Sequence, residues 1–138
     1  MRYFLFASHG NFADGILHSL ELITGKHENI WTINAYVNDG EDLNGQISEV
    51  MKRLEAEDEL IVVTDIFGGS VNNEFMKLIH DRRMTLIAGL NLPLIMELTM
   101  NQQMEDTDKL VKLALDRSKD SIQHCRLDTE QEKVDDDF

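Results

Sequence analysis

The sequence predicts a doubly wound α/β domain, a mainly parallel sheet with helices on both faces. Two observations carry that prediction. Short, almost wholly apolar runs such as Tyr3-Phe4-Leu5-Phe6-Ala7 and Leu60-Ile61-Val62-Val63-Thr64 have the pattern of strands buried on both faces. Stretches with apolar residues at helical spacing lie between them, and such alternation implies parallel strands joined by right-handed crossovers. The length, 138 residues, fits one domain that needs neither disulfide nor metal to hold its core.

In chain order, the first strand runs over Tyr3 to Ala7. Asn11 is a candidate cap for a helix whose inward stripe is Phe12, Ile16, Leu20 and Ile23, and Gly25 stops it. Ile30 to Val37, rich in aromatic and β-branched residues, reads as the second strand. Asp39, with Asp42 as reciprocal acid, opens a helix with Leu43, Ile47, Val50, Met51 and Leu54 inward. Leu60 to Thr64 is the third strand. After it, Phe67-Gly68-Gly69-Ser70 leads into a helix with Val71, Phe75, Leu78 and Ile79 inward. Met84 to Ala88 is the fourth strand, closed by Gly89, and Pro93 falls in a first helical turn, where its missing N–H has no partner to lose. Leu110, Val111, Ala114 and Leu115 mark a last helix after Thr107. Ser121 to Leu127 either continues that helix or forms a fifth strand.

Composition narrows the function. Thirteen Lys plus Arg against twenty-six Asp plus Glu give a formal charge of −13. A chain so acidic repels nucleic-acid phosphates and anionic membrane surfaces. Six acids against Lys133 fall in the last eleven residues, 128–138, with too little apolar content to pack. That segment is expected to be an unstructured acidic tail, leaving residues 1–127 as the domain. The remaining acidity suits a basic protein partner or simply keeps the chain dissolved, and composition leaves both readings open. No apolar run approaches the ~20 residues of a membrane span, and a single cysteine, Cys125, gives no internal disulfide, so a cytoplasmic location is expected.

Ligands of doubly wound sheets bind beyond the carboxyl ends of the strands, where the winding reverses. With the first strand central, in the order 2-1-3-4, two loops meet there: Ser8-His9-Gly10-Asn11 and Asp65-Ile66-Phe67-Gly68-Gly69-Ser70. Both lead into helix amino ends, which favour an anion. Neutral imidazole has one lone-pair nitrogen, a nucleophile toward phosphorus, and a carboxylate on the other nitrogen fixes the tautomer. His9 is therefore the candidate phosphoryl acceptor and Asp65 its orienting acid. Gly10, Asn11, Phe67, Gly68, Gly69 and Ser70 are the candidate phosphate-binding residues. A loop histidine that merely pairs with backbone is the plainer reading of His9 by itself. No spacing of ligands suggests a metal, and no nucleotide phosphate loop is present. His124 and Cys125, as neighbours on a strand, would face opposite ways, which leaves Cys125 as a small packing residue.

At these residues the chain resembles the enzyme IIA components of the mannose family of the bacterial sugar phosphotransferase system. The matching pieces are Ser8-His9-Gly10, Asp65 to Ser70, and Ile87-Ala88-Gly89-Leu90-Asn91-Leu92-Pro93-Leu94, and with the strand order they cover about residues 1 to 127. The resemblance implies that His9 takes a phosphoryl group from the phosphocarrier HPr and passes it to a IIB subunit, which phosphorylates sugar at a IIC/IID membrane permease. It carries Asp65 over as partner of the phosphorylated histidine and Ser70 as part of the phosphate pocket. No cofactor is implied. It also implies four parallel strands plus an antiparallel C-terminal edge strand, Ser121 to Leu127, exchanged within a homodimer. The chain departs from the family pattern at Ile66-Phe67, where Thr-Trp is common, and at Val71, where Pro is common. Alternative readings are a subunit feeding phosphate to dihydroxyacetone kinase, a flavodoxin-like nucleotide or flavin module, and a regulatory protein.

Overall fold

The apolar runs Tyr3–Ala7 and Leu60–Val63 form the first and third of four parallel strands among the described residues. The computed structural model describes residues 1–127, and the expected acidic tail, residues 128–138, lies outside them. The strands are β1 (Arg2–His9), β2 (Ile30–Ala35), β3 (Glu59–Thr64) and β4 (Met84–Ala88). They form one sheet of order β2-β1-β3-β4, all pairings parallel. Both central strands are buried on both faces, from Phe4 through Ser8 and from Leu60 through Thr64. The doubly wound reading of the sequence therefore holds.

The helices are α1 (Phe12–Thr24), α2 (Leu43–Lys52), α3 (Ser70–Met76), α4 (Leu92–Met100) and α5 (Thr107–Asp120). Alternate residues of a strand point to opposite faces. Leu5, Ala7, Leu60 and Val62 accordingly join Ile47 and Val50 of α2 and Val71 and Phe75 of α3 in one core cluster. Helix α1 packs on β1 and β2 through Ala13, Ile16 and Leu20. The chain groups into two compact units, Met1–Leu92 and the segment from Pro93 onward. In the second unit, α4 buries Leu94, Ile95 and Leu98, α5 buries Leu110 and Ala114, and Arg117 reaches Glu97 at 3.1 Å.

Several local expectations are corrected. Phe12 and Ile23 are 47% and 37% exposed instead of lining the α1 stripe, and Ile79 lies beyond the short α3, 42% exposed. The cap of α2 is Asp42, not Asp39: its Oδ1 accepts the Asn44 N–H at 3.3 Å. Strand β2 stops at Ala35, because Tyr36 turns left-handed at φ 65°. In the single chain residues 122–126 form neither helix nor strand, so α5 does not continue through them, and Cys125 is exposed rather than packed. Trp31 stacks on Tyr3 at 4.4 Å, with the Arg53 guanidinium 5.6 Å from its ring centre.

Asp81, just before β4, accepts Arg83 Nε–H on Oδ1 at 3.0 Å and a terminal guanidinium N–H on Oδ2 at 2.7 Å. That two-pronged bond, aided by the Arg83 backbone N–H, holds the Asp81 carboxyl at about 2. A carboxyl depressed by folding stabilises the native state above its unfolded value of about 3.9, and the contribution disappears as pH falls toward the folded value. Urea denaturation should therefore show stability declining between about pH 4 and pH 2. Replacing Arg83 by Met should flatten that acid limb while leaving its shape above pH 5 unchanged, on the ~4 to 2 window set by this pair.

Candidate active site at the ends of the central strands

His9 is the last residue of β1, and Asp65 follows the last residue of β3. Because Ala7 pairs with Thr64 in the parallel register, the two side chains emerge side by side beyond the sheet. Asp65 Oδ2 accepts both the backbone N–H of His9 and its ring Nδ1, each at 2.8 Å. The other oxygen, Oδ1, accepts the Ile66 N–H at 3.0 Å. Burial, the largest single influence, pushes this carboxyl up. The His9 backbone N–H, the imidazole, its charge and the Ile66 N–H together outweigh burial and leave it below its ordinary value. Asp65 is thus an ionised acceptor at neutral pH, so in the neutral imidazole the ring hydrogen sits on Nδ1 and the lone pair on Nε2.

Nε2 faces out of the sheet toward Ser70 Oγ, 3.1 Å away, and the His9 side chain is 47% exposed against 15% for Asp65. Ser70 opens α3, whose start is tied to β3 by the buried Thr64 hydroxyl donating to Asn72 Oδ1 at 2.8 Å. Gly68 turns the chain into α3 at φ +77°, a conformation glycine adopts freely. Gly69 lies so close to the imidazole that an added Cβ would stand 3.6 Å from His9 Cε1 and 2.6 Å from Ile66 Cγ2. The loop after β4 joins the same rim, since the Gly89 and Leu90 N–H groups both bond Thr64 O at 2.9 Å.

The structure thus brings His9, Asp65, Gly69 and Ser70 together. Gly10 and Gly69 do not offer free donors: their N–H groups bond Ala35 O at 2.8 Å and Ile66 O at 3.2 Å. Phe67 stands out into solvent, 87% exposed, beside Ile66 at 60%. Asn11 occupies the cap position of α1 without a side-chain bond, and the capping oxygen is Ser8 Oγ, 2.7 Å from the Ala13 nitrogen. Sequence reasoning gave Ser8 no task, because a hydroxyl on a buried strand capping five residues ahead has no sequence signature. It also passed over Tyr36, whose hydroxyl lies 2.9 Å from Ser70 Oγ and whose ring centre is 5.4 Å from that of His9.

The parallel sheet thus holds an oriented, half-exposed histidine at its switch point. Comparison with known proteins identifies the family. A family model described as the phosphotransferase system (PTS) fructose IIA component matches residues 3–115. The chain belongs to this EIIA-man family of PTS IIA components. It is 29% identical to the PTS fructose-specific EIIA component of Bacillus subtilis over 94% of this chain and 90% of that protein. A Klebsiella pneumoniae structure described as a PTS sugar permease is 48% identical, with TM-score 0.89 over 93% of each chain. A PTS EIIA component from Streptococcus agalactiae is 31% identical, with TM-score 0.73 over 90% of this chain and 97% of that one. The protein is accordingly a phosphotransferase of the sugar phosphotransferase system.

Ser8 is fully buried, and its Oγ also donates to Gly10 O at 3.3 Å. Ser8→Ala leaves the Ala13 N–H at the buried start of α1 without its acceptor. The expected cost is about 1–2 kcal/mol in urea denaturation, with far-UV circular dichroism unchanged.

Proposed function

We propose that His9 carries the phosphoryl group, taking it from phospho-HPr on Nε2 and passing it to a histidine of a IIB subunit that serves a sugar permease. The observation that carries this reading is the Asp65–Nδ1 hydrogen bond, which leaves the opposite nitrogen with its lone pair aimed at the exposed rim. In the transfer, the Nε2 lone pair forms the new N–P bond as the donor N–P bond breaks. The donor imidazole keeps the electron pair. Nδ1 keeps its hydrogen, so the phosphorylated ring bears a positive charge that the Asp65 carboxylate balances. The Ser70 hydroxyl, released from Nε2, donates to a phosphoryl oxygen, and the amino end of α3 faces the same group.

The surroundings fit a protein donor better than a small molecule. Exposed Phe12, Tyr36, Val37, Ile66 and Phe67 lie in the segments that frame His9, an apolar rim of the kind that protein partners cover. The charge of −13 attracts a carrier with a basic active face. The site acts in the cytoplasm, where the donor circulates, and no described helix is long and apolar enough to cross a membrane. Residues 1–127 act as the domain, and two copies exchange residues 121–127 as edge strands. Ile122 and Leu127, 84% and 82% exposed in the single chain, would gain cover from that exchange.

Incubation with phosphoenolpyruvate, enzyme I and HPr should give one acid-labile, base-stable phosphoryl group per chain. His9→Ala should take none, and a variant that labels at the wild-type rate would refute the assignment. Asp65→Asn keeps the shape of the acid but not its charge or its control of the tautomer. Its transfer rate should fall by roughly a hundredfold or more.

A further inference from the structure

Tyr36 is the only non-glycine among the described residues with a positive φ, 65°, a conformation that bulky side chains rarely adopt. Burial does not explain it, since the residue is 61% exposed. The contacts it gains explain it better. Strand pairing sets His9 level with Ala35, and the Gly10 N–H bonds Ala35 O at 2.8 Å, so the residue after Ala35 stands beside the imidazole. The left-handed turn then brings the phenol back over the site. Its ring tilts against that of His9, centres 5.4 Å apart, and its hydroxyl lies 2.9 Å from Ser70 Oγ.

The direction of the hydrogen bonds follows from Asp65. With Nδ1–H given to the carboxylate, Nε2 only accepts, so Ser70 O–H must donate to it across 3.1 Å. That hydroxyl has one hydrogen, so its contact with Tyr36 is one in which the phenol donates. The result is a one-way chain: Tyr36 O–H to Ser70 Oγ, Ser70 O–H to His9 Nε2, and His9 Nδ1–H to Asp65. We infer that Tyr36 is a positioning residue for phosphoryl transfer, holding the Ser70 hydroxyl in line with His9 Nε2 before transfer and on the phosphoryl oxygens after it. This inference rests on His9 being the phosphorylated residue. Once the Nε2 lone pair is in the N–P bond, Ser70 loses its acceptor. The Tyr36 bond then keeps its hydroxyl from drifting into water, and a strained backbone is maintained for that purpose.

The test compares Tyr36→Phe, Ser70→Ala and the double variant in phosphoryl transfer from purified phospho-HPr, with label on His9 confirmed in each. Tyr36→Phe keeps the ring and the turn and removes only the donor. Its maximal transfer rate should fall about five- to tenfold, the loss of one hydrogen bond, with KM for phospho-HPr within about twofold of wild type. In the Ser70→Ala background the same change should alter the rate by less than about twofold, because the group it acts through is gone. A Tyr36→Phe rate equal to wild type, a change confined to KM, or an undiminished loss in the Ser70→Ala background overturns the inference and leaves phosphorylation of His9 standing. A wild-type protein that takes no label on His9 overturns both, so the two failures are distinguishable.

Discussion

One carboxylate oxygen organises the functional end of this molecule. Asp65 Oδ2 receives the backbone N–H and the ring Nδ1 of the same residue, His9, at equal distances of 2.8 Å. The first bond satisfies an amide at the end of a buried strand, and the second fixes the imidazole in angle and tautomer. Structural and chemical work therefore share one atom. This is possible only because β1 and β3 are parallel neighbours, so that both strands end on the same side of the sheet. In an antiparallel pair the two residues would lie at opposite ends.

The local sequence around this bond gathers several departures from the usual rules. Phe67 is 87% exposed, Tyr36 adopts a glycine-like turn, and α3 starts without a side-chain cap. Elsewhere Asp42 and Asp106 cap their helices directly. Inconsistency of this kind concentrates where a protein gives up stability for function. The buried Thr64–Asn72 bond anchors the start of α3 to β3 beneath the site.

The central strands and the pairing of His9 with Asp65 were legible for the same reason. A strand buried on both faces reads as a continuous apolar run, and the polar residues at its end, His9 and Asp65, are then brought to the sheet's rim. Features that depend on backbone conformation were not legible. Tyr36 belongs by composition to the second strand, and only its left-handed turn ends that strand at Ala35. Asp39 and Asp42 are equivalent as caps in sequence, and the path of the connecting loop decides for Asp42. Periodicity also overstated burial, because Phe12 and Ile23 continue an apolar spacing past the width of surface that α1 covers. Ser8 went unread because its partner, the Ala13 N–H, reaches it only after the chain has turned from strand to helix.

In the proposed cycle, a carrier must hold phosphorus tightly enough to avoid losing it to water, yet loosely enough to hand it on. The arrangement of charges reconciles these demands. The carboxylate and the phosphoryl group lie on opposite nitrogens of one ring, so the imidazolium is adjacent to both anions while they are a ring-width apart. Coulomb energy falls as the inverse of distance, so two close attractions outweigh one more distant repulsion. Half-exposure of the ring keeps the effective dielectric high and holds each term to a few kcal/mol at most, on the order of 1–4 kcal/mol at contact distances. A deeply buried histidine would strengthen every term and trap the group, whereas one without the carboxylate would lack both tautomer control and charge balance. The half-exposed His9, with the more buried Asp65 behind it, lies between these limits.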